Sequence, residues 1–243
     1  MKYFIITGTS RGIGLALIRQ LLASGHTVLG ISRSPARSEH GDGRGVFYGF
    51  EYDLSRWEGL EALMDRMLAC IDFPRAQMVC LINNAAVIAP LSRMGECSAE
   101  AIAHNMQVNL LAPMILTSSF MERTRSSKAD RRILNISSAS VKHLISGMSC
   151  YTAAKAGLDT FARSVGLEQG DDGVRIASVW PGIIDTALQE EARGADTVRF
   201  PSAAMFSSFK DKGMLSTPDD TASKLISLLM SESFGNQPVI EQI

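Results

Sequence analysis

Short apolar runs alternate with longer segments of helical period along most of the chain. The runs KYFIIT (2–7), TVLGIS (27–32), VFYGFEY (46–52), MVCLIN (78–83), RILNIS (132–137), RIASVW (175–180) and PVIEQ (238–242) each have strand length. Nearly continuous hydrophobicity, rather than alternation, is what strands covered on both faces require. Between the first two runs Ile13, Leu17 and Leu21 recur every four residues, and Gly25 stands where a helix C-terminal glycine belongs. Further helices are predicted over 56–70, 98–107, 110–126, 151–168 and 218–231. Strand and helix in alternation build βαβ units. The expected fold class is therefore α/β: a single domain, 1–243, with a doubly wound parallel sheet of about seven strands and helices on both faces. One stretch breaks the rhythm. Residues 187–216, rich in Phe, Met, Ala and Ser and including Phe200, Met205, Phe206, Phe209 and Met214, read as an insertion between the sixth strand and the last helix, placed as a lid over a substrate.

Composition changes this picture mainly by exclusion. The 243 residues are 46% hydrophobic and 20% charged, with a net charge of −1, ordinary values for a water-soluble globular chain. Scattered basic residues and a near-neutral balance give no reason to expect nucleic acid or an anionic membrane as a partner. The start MKYFIITGTS lacks a leader pattern, and no run reaches the roughly 18 apolar residues of a membrane span, so a cytoplasmic protein is expected. Cysteines at 70, 80, 97 and 150 have no CxxC spacing and are expected to be reduced, mostly buried thiols, with Cys150 notable for adjoining Tyr151. The histidines (26, 40, 104, 143) are dispersed, and no metal site is expected.

Two motifs carry chemistry. TGTSRGIG (7–14) lies between a predicted strand and a predicted helix, where glycines let the backbone approach a pyrophosphate and the helix N-terminus favours its charge, as in Rossmann-type dinucleotide folds. Its spacing, Gly8, Gly12 and Gly14, is GxxxGxG rather than GxGxxG; a tight structural turn is the competing reading. The second motif is Tyr151 and Lys155 in YTAAK, with Ser138 thirteen residues before the tyrosine. Residues four apart share a helix face, and an ammonium beside a phenol, whose reference pKa is about 10, favours proton exchange.

TGxxxGIG, the NNA sequence Asn83–Ala85, Asn109, Ser138, the Tyr151/Lys155 pair and the Pro181, Gly182 and Thr186 of PGxxxT occur here in an order that resembles the classical short-chain dehydrogenase/reductase family across nearly the whole chain. The resemblance implies roles. Ser138 hydrogen-bonds the substrate oxygen, Tyr151 exchanges its proton, Lys155 lowers the phenol pKa and holds the nicotinamide ribose, and Asn109 holds a water that links Lys155 to solvent. Ser137 could be confused with Ser138, but the spacing favours Ser138. It further implies that Gly8, Ser10, Arg11, Gly12, Ile13 and Gly14 cradle the cofactor. Asp53 would accept from the adenine amino group with the Leu54 amide alongside, although an N-cap competes and Ser55 suits that cap better. Asn83 and Ala85 would line the adenosine ribose, with Pro181, Gly182, Ile184 and Thr186 at the nicotinamide end. Ala86 departs from the family's usual glycine, a strained exchange if that backbone needs positive φ.

An enzyme that uses NAD commonly places an acid after the second strand. Here Ser32 and Arg33 stand there, with no acid until Glu39 and with Arg11 as a second cation. These features favour NADPH/NADP+ as cofactor. KYFIITGTS, NLLAPMILTSSFM (109–121), RILNISS and the ending PVIEQI resemble bacterial benzil reductases and sepiapterin reductases. That likeness implies an NADPH-dependent carbonyl reductase acting on a small-molecule ketone or vicinal diketone, with the Phe and Met cluster as an adaptable wall or as packing between lid and body. Two alternatives stay open: a 3-oxoacyl thioester reductase, and a catalytically silent NADP(H)-binding regulator. The family also implies a homo-oligomer, a dimer or tetramer, joined through the helices at 98–126 and 151–168.

Overall fold

The structure is a computed structural model that describes residues 1–34, 45–170 and 173–243. Seven strands, β1 (Lys2–Thr7), β2 (Thr27–Ser32), β3 (Val46–Glu51), β4 (Met78–Asn83), β5 (Asp130–Ile136), β6 (Arg175–Val179) and β7 (Val239–Ile240), form one sheet in the order β3-β2-β1-β4-β5-β6-β7. Every pairing is parallel. The helices are α1 (Gly12–Ala23), α2 (Leu60–Leu68), α3 (Ala99–Met106), α4 (Ala112–Arg123), α5 (Ser149–Glu168), α6 (Ala187–Arg193), α7 (Ala203–Asp211) and α8 (Pro218–Met230). None among the described residues is long and apolar enough to cross a membrane.

The period-2 geometry of a strand explains why β1 is apolar throughout. Tyr3 and Ile5 enter a core with Leu63, Met64 and Phe120, while Phe4 and Ile6 enter another with Leu17, Leu21, Leu225 and Leu229. One face of the sheet thus packs on α2, α4 and α5, the other on α1 and α8. Helix α1 stops where its sequence requires. Gly25, at φ +77°, lets the His26 and Gly25 amides donate to the carbonyls of Leu21 (3.0 Å) and Leu22 (2.9 Å), the Schellman pattern. Capping fixes two other starts: Ser98 accepts from the Ala101 amide (3.2 Å) before α3, and Thr217 accepts from the Asp220 amide (3.0 Å) before α8.

The predicted helix over 56–70 opens as a 3-10 turn, Trp57–Gly59, before α2, and neither start is capped by a side chain. Ser55 is therefore not the cap expected of it. Its amide and hydroxyl both donate to Asp53 Oδ1, at 3.0 and 2.9 Å, so the local bond runs from serine to aspartate. All four cysteines are free thiols, Cys80 and Cys150 buried, Cys70 and Cys97 half-buried.

The segment 187–216 carries α6 and α7 and is tied at its base. Ile184 bridges Ser216, the Asp185 amide donates to the Ser216 carbonyl (3.0 Å), and the Ser216 amide donates to the Ile183 carbonyl (2.9 Å). Its apolar side seals onto the body through a third cluster, in which Phe200, Ala203, Phe206 and Ala192 meet Ile88, Met148 and Tyr151.

Strand order reverses direction between β1 and β4. Crossovers leave there toward opposite edges, and the loops at the strands' C-terminal ends part to form a crevice.

Candidate active site

The crevice is a cavity of about 530 Å³ that runs from the ends of β2 and β3 to the start of α5. Its floor is the glycine loop. The Gly8 and Thr9 amides donate to the Ile31 carbonyl, at 2.9 and 3.2 Å, which folds the loop back on β2. Gly8 (φ +72°) and Gly12 (φ +56°) are both in the left-handed region. A Cβ on Gly8 would lie 2.8 Å from Ala85 Cα, and one on Gly14 only 2.1 Å from the Gly8 carbonyl oxygen. Gly14 does not line the cavity; its role is to let α1 close on the loop. The α1 N-cap, Arg11, is extended and makes no side-chain cap, and no acid occupies the first turn. Bare amides above side-chain-free backbone fit a dinucleotide pyrophosphate.

At one end the walls are Ser32, Arg33, Tyr52, Asp53, Leu54 and His104. The Ser55 amide bond to Asp53 holds that carboxyl below its usual range, and the charge of Arg33 acts in the same direction. Glu39 lies outside the described residues.

At mid-cleft the structure corrects the assignment made to Asn83. Its side chain is buried away from the cavity, donating to Asn135 Oδ1 (2.8 Å) and Thr117 Oγ1 (3.4 Å). Its neighbour Asn84 faces the cavity instead, donating to the carbonyls of Thr7 (2.9 Å) and Gly8 (3.1 Å). Thr7 completes a latch, its hydroxyl oxygen accepting from the Asn84 and Ala85 amides at 2.9 Å each. Ala85 lines the cavity. Ala86 has no positive φ, so alanine is unstrained there.

Asn109 also stands outside the cavity lining. It sits in a π-helical turn, Gln107–Leu111, where the extra residue turns its fully buried amide onto Val87. It accepts from the Val87 amide (3.0 Å) and donates to the Val87 carbonyl (2.7 Å) and to Asn105 Oδ1 (3.0 Å). Asn105 in turn donates to the Ala89 carbonyl at 2.6 Å. The two asparagines thus brace Val87, which does line the cavity.

Ser138, Tyr151 and Lys155 converge at the other end. Ser138 leaves β5 in an extended conformation and accepts from the Ser140 amide at 3.1 Å, lining the cavity together with Tyr151. Ser137 is turned to α5, donating to the Lys155 carbonyl at 3.3 Å. Tyr151 and Lys155 are one turn apart on α5, and the Lys155 ammonium lies 5.6 Å from the phenol ring centroid. Lys155 is 2% exposed and donates to the Ile136 carbonyl at 2.7 Å. Burial raises the Tyr151 pKa to about 12, with the neighbouring Ser138 hydroxyl acting the other way. Burial likewise lowers Lys155 to about 8, against the pull of Asp159. The expectation that lysine lowers the phenol pKa is therefore outweighed here by desolvation: the phenol keeps its proton, as a donor must.

Pro181, Gly182, Ile184 and Thr186 line this end, as do Ser10, Arg11, Gly12 and Ile13 along the loop. Above them rises a wall that motif reading did not assign: Leu144, Ile145 and Met148, from the stretch joining Ser138 to Tyr151. Their signal was an apolar run between two reactive residues. Facing them are Met205, Phe206 and Phe209. The Phe and Met cluster thus divides. Phe200 is fully buried as packing, Met214 is 53% exposed, and only the α7 members reach the cavity.

A doubly wound sheet with a hydroxyl, a phenol and an ammonium at its switch-point crevice defines an oxidoreductase of the nicotinamide type, acting on CH–OH and C=O groups. The short chain dehydrogenase family model matches residues 2–197, and the chain belongs to that family. It is 34% identical over 247 residues to the benzil reductase ((S)-benzoin forming) of Bacillus cereus, covering 99% of this chain and 98% of the relative. Identity to the enzyme of the same name from Bacillus subtilis (strain 168) is 35% over 231 residues, covering 94% and 93%. The crystal structure of the KRED1-Pglu enzyme shares the fold, with a TM-score of 0.84 at 24% identity over 100% of both chains.

Proposed function

We propose that this oxidoreductase is an NADPH-dependent carbonyl reductase that converts one carbonyl of a benzil-like vicinal diketone to the alcohol, with Tyr151 as proton donor. The observation that carries the reading is the half-buried Ser138 beside the buried Tyr151 and Lys155, with an aliphatic wall on one side and the α7 phenylalanines on the other. A carbonyl in that corner meets two hydroxyl donors among apolar surfaces that exclude water, so charge developing on its oxygen is met by hydrogen bonds in a low-dielectric site. Bound NADPH would supply the hydride. Ser138 orients the oxygen, Tyr151 protonates it, and Lys155 replaces charge at the phenol as the proton leaves. Asn109 and Asn105 fix Val87 beside the site, and a relay from Lys155 to solvent past Asn109 belongs to the same reading.

Arg33 and Arg11 stand at the adenosine end, where no described acid directly follows β2, an arrangement suited to a 2′-phosphate. Asp53 retains one oxygen for an adenine amino group. A homo-oligomer through α3, α4 and α5 is part of the proposal, since Leu111 and Met114 leave apolar surface on that side at 38% exposure each.

The test is a substrate panel run under both cofactors. Benzil or 1-phenyl-1,2-propanedione with NADPH should exceed an acetoacetyl thioester in kcat/KM. The reverse order would favour thioester reduction, and no turnover alongside NADPH binding would favour the silent regulator.

A further inference from the structure

Asp159 follows Lys155 by one turn of α5 and is 1% exposed. Both its oxygens are held from the end of β6, the Ser178 hydroxyl donating to Oδ1 at 2.5 Å and the Trp180 indole N–H to Oδ2 at 2.8 Å. Neither donor brings a charge. A carboxylate buried with neutral partners alone is costly, and the buried cation within one turn is Lys155. Helical side chains lean toward the N-terminus, which inclines Asp159 to the turn of Lys155.

The surrounding charges are committed elsewhere. Arg163, one turn further along α5, is exposed. Arg175 of β6 pairs with Asp130, and Glu241 beside β7 pairs with Lys142. His143 is exposed at the cavity rim. Tyr151 is the remaining titratable neighbour of Lys155.

We propose that Asp159 is a positioning residue for the Tyr151 and Lys155 pair: its carboxylate, anchored by Ser178 and Trp180, keeps Lys155 an ammonium and fixes α5 against the strand end that leads into Pro181 and Gly182. The proposal rests on the reductase reading of the site. Asp159 is the charge that opposes the effect of burial on Lys155. Its anchoring also explains why a tryptophan occupies the position before Pro181: the indole supplies a neutral donor that reaches the second oxygen without cancelling the charge.

Asp159→Asn keeps the shape and removes the charge. The alkaline limb of kcat/KM for diketone reduction should move down by about two pH units, the scale of a charge one helical turn away at an effective dielectric near that of protein surfaces. Ser178→Ala and Trp180→Phe remove anchors but not charge, so they should lower Tm while leaving the limb in place; Asp159→Glu should bring the limb back toward wild type. An unmoved limb in Asp159→Asn, or an equal movement in Ser178→Ala, would overturn the proposal. Should Asp159→Asn not fold, ¹⁵N-lysine NMR of the wild-type chain decides: Lys155 should be an ammonium at pH 7, and a neutral amine there would overturn it. That titration needs no substrate. A wild type inert toward every carbonyl would remove the reductase reading while leaving the Asp159–Lys155 coupling measured.

Discussion

The two ends of the crevice are built by different means. At the glycine loop the surface is backbone, shaped by residues that lack side chains and held by amide bonds to Ile31 and by the Thr7–Asn84 latch. At the far end it is side chain, with Leu144, Ile145 and Met148 opposite Met205, Phe206 and Phe209 around three polar groups. Backbone surfaces tolerate almost no change, because a single Cβ on Gly14 would strike the Gly8 carbonyl. Side-chain walls of Leu, Met and Phe can be resized without moving the sheet. One end can thus stay fixed on a shared cofactor while the other is adjusted to a substrate.

The strongest way to break this division is Tyr151→Phe. Turnover should fall by about 10²–10⁴-fold, the range for loss of a general acid, while the NADPH dissociation constant, measured by fluorescence titration, changes little; a parallel loss of both would show that the ends are not separable. Next, Arg33→Asp should lower the ratio of kcat/KM for NADPH over NADH by about 10–100-fold, the worth of a charge-assisted bond. Benzil KM at saturating cofactor should stay put, and a changed KM with an unchanged ratio would place Arg33 in the wrong half.

A pH series sharpens the contrast further. Lys155 is lowered to about 8, so its ammonium is present below that pH and lost as pH rises through it, whereas Tyr151, raised to about 12, stays protonated over the same interval. Reduction should therefore fall about tenfold per unit above pH 8 once Lys155 has titrated, with NADPH affinity nearly level; a flat profile to pH 10 would sink the role given to Lys155. The smallest effect is expected from Phe209→Ala. It should raise KM several-fold for an aryl diketone and less for a small aliphatic one, consistent with about 1 kcal/mol of lost apolar contact. Equal changes for both substrates would mean Phe209 only packs.

What was legible in the sequence follows the same line. The inner strands announced themselves because burial on both faces demands unbroken apolar runs, whereas the edge strand β3 is mostly exposed; Tyr151 and Lys155 stood out because a helix converts a four-residue interval into proximity. Asn83 and Asn84 were indistinguishable as letters. At the end of β4 adjacent side chains face opposite ways, and only the register with β1 and β5 decides that Asn84 takes the crevice and Asn83 the interior. Ser55 looked like a cap because serine often is one, but Asp53 two residues earlier offered a stronger acceptor. The direction of the Tyr151 shift could not be read either, since it depends on how completely α6 and α7 cover the phenol.

The pin at Ser216 has a consequence for how such a chain can diversify. Residues 187–215 leave and rejoin the body at nearly one point, so their ends are closed by one parallel bridge of two backbone hydrogen bonds, whatever the segment between them contains. Lengthening or exchanging that stretch adds little closure entropy, which grows only with the logarithm of loop length. The segment is in effect a cassette, and grafting one from a relative should transfer substrate preference while leaving the sheet and its cofactor floor intact.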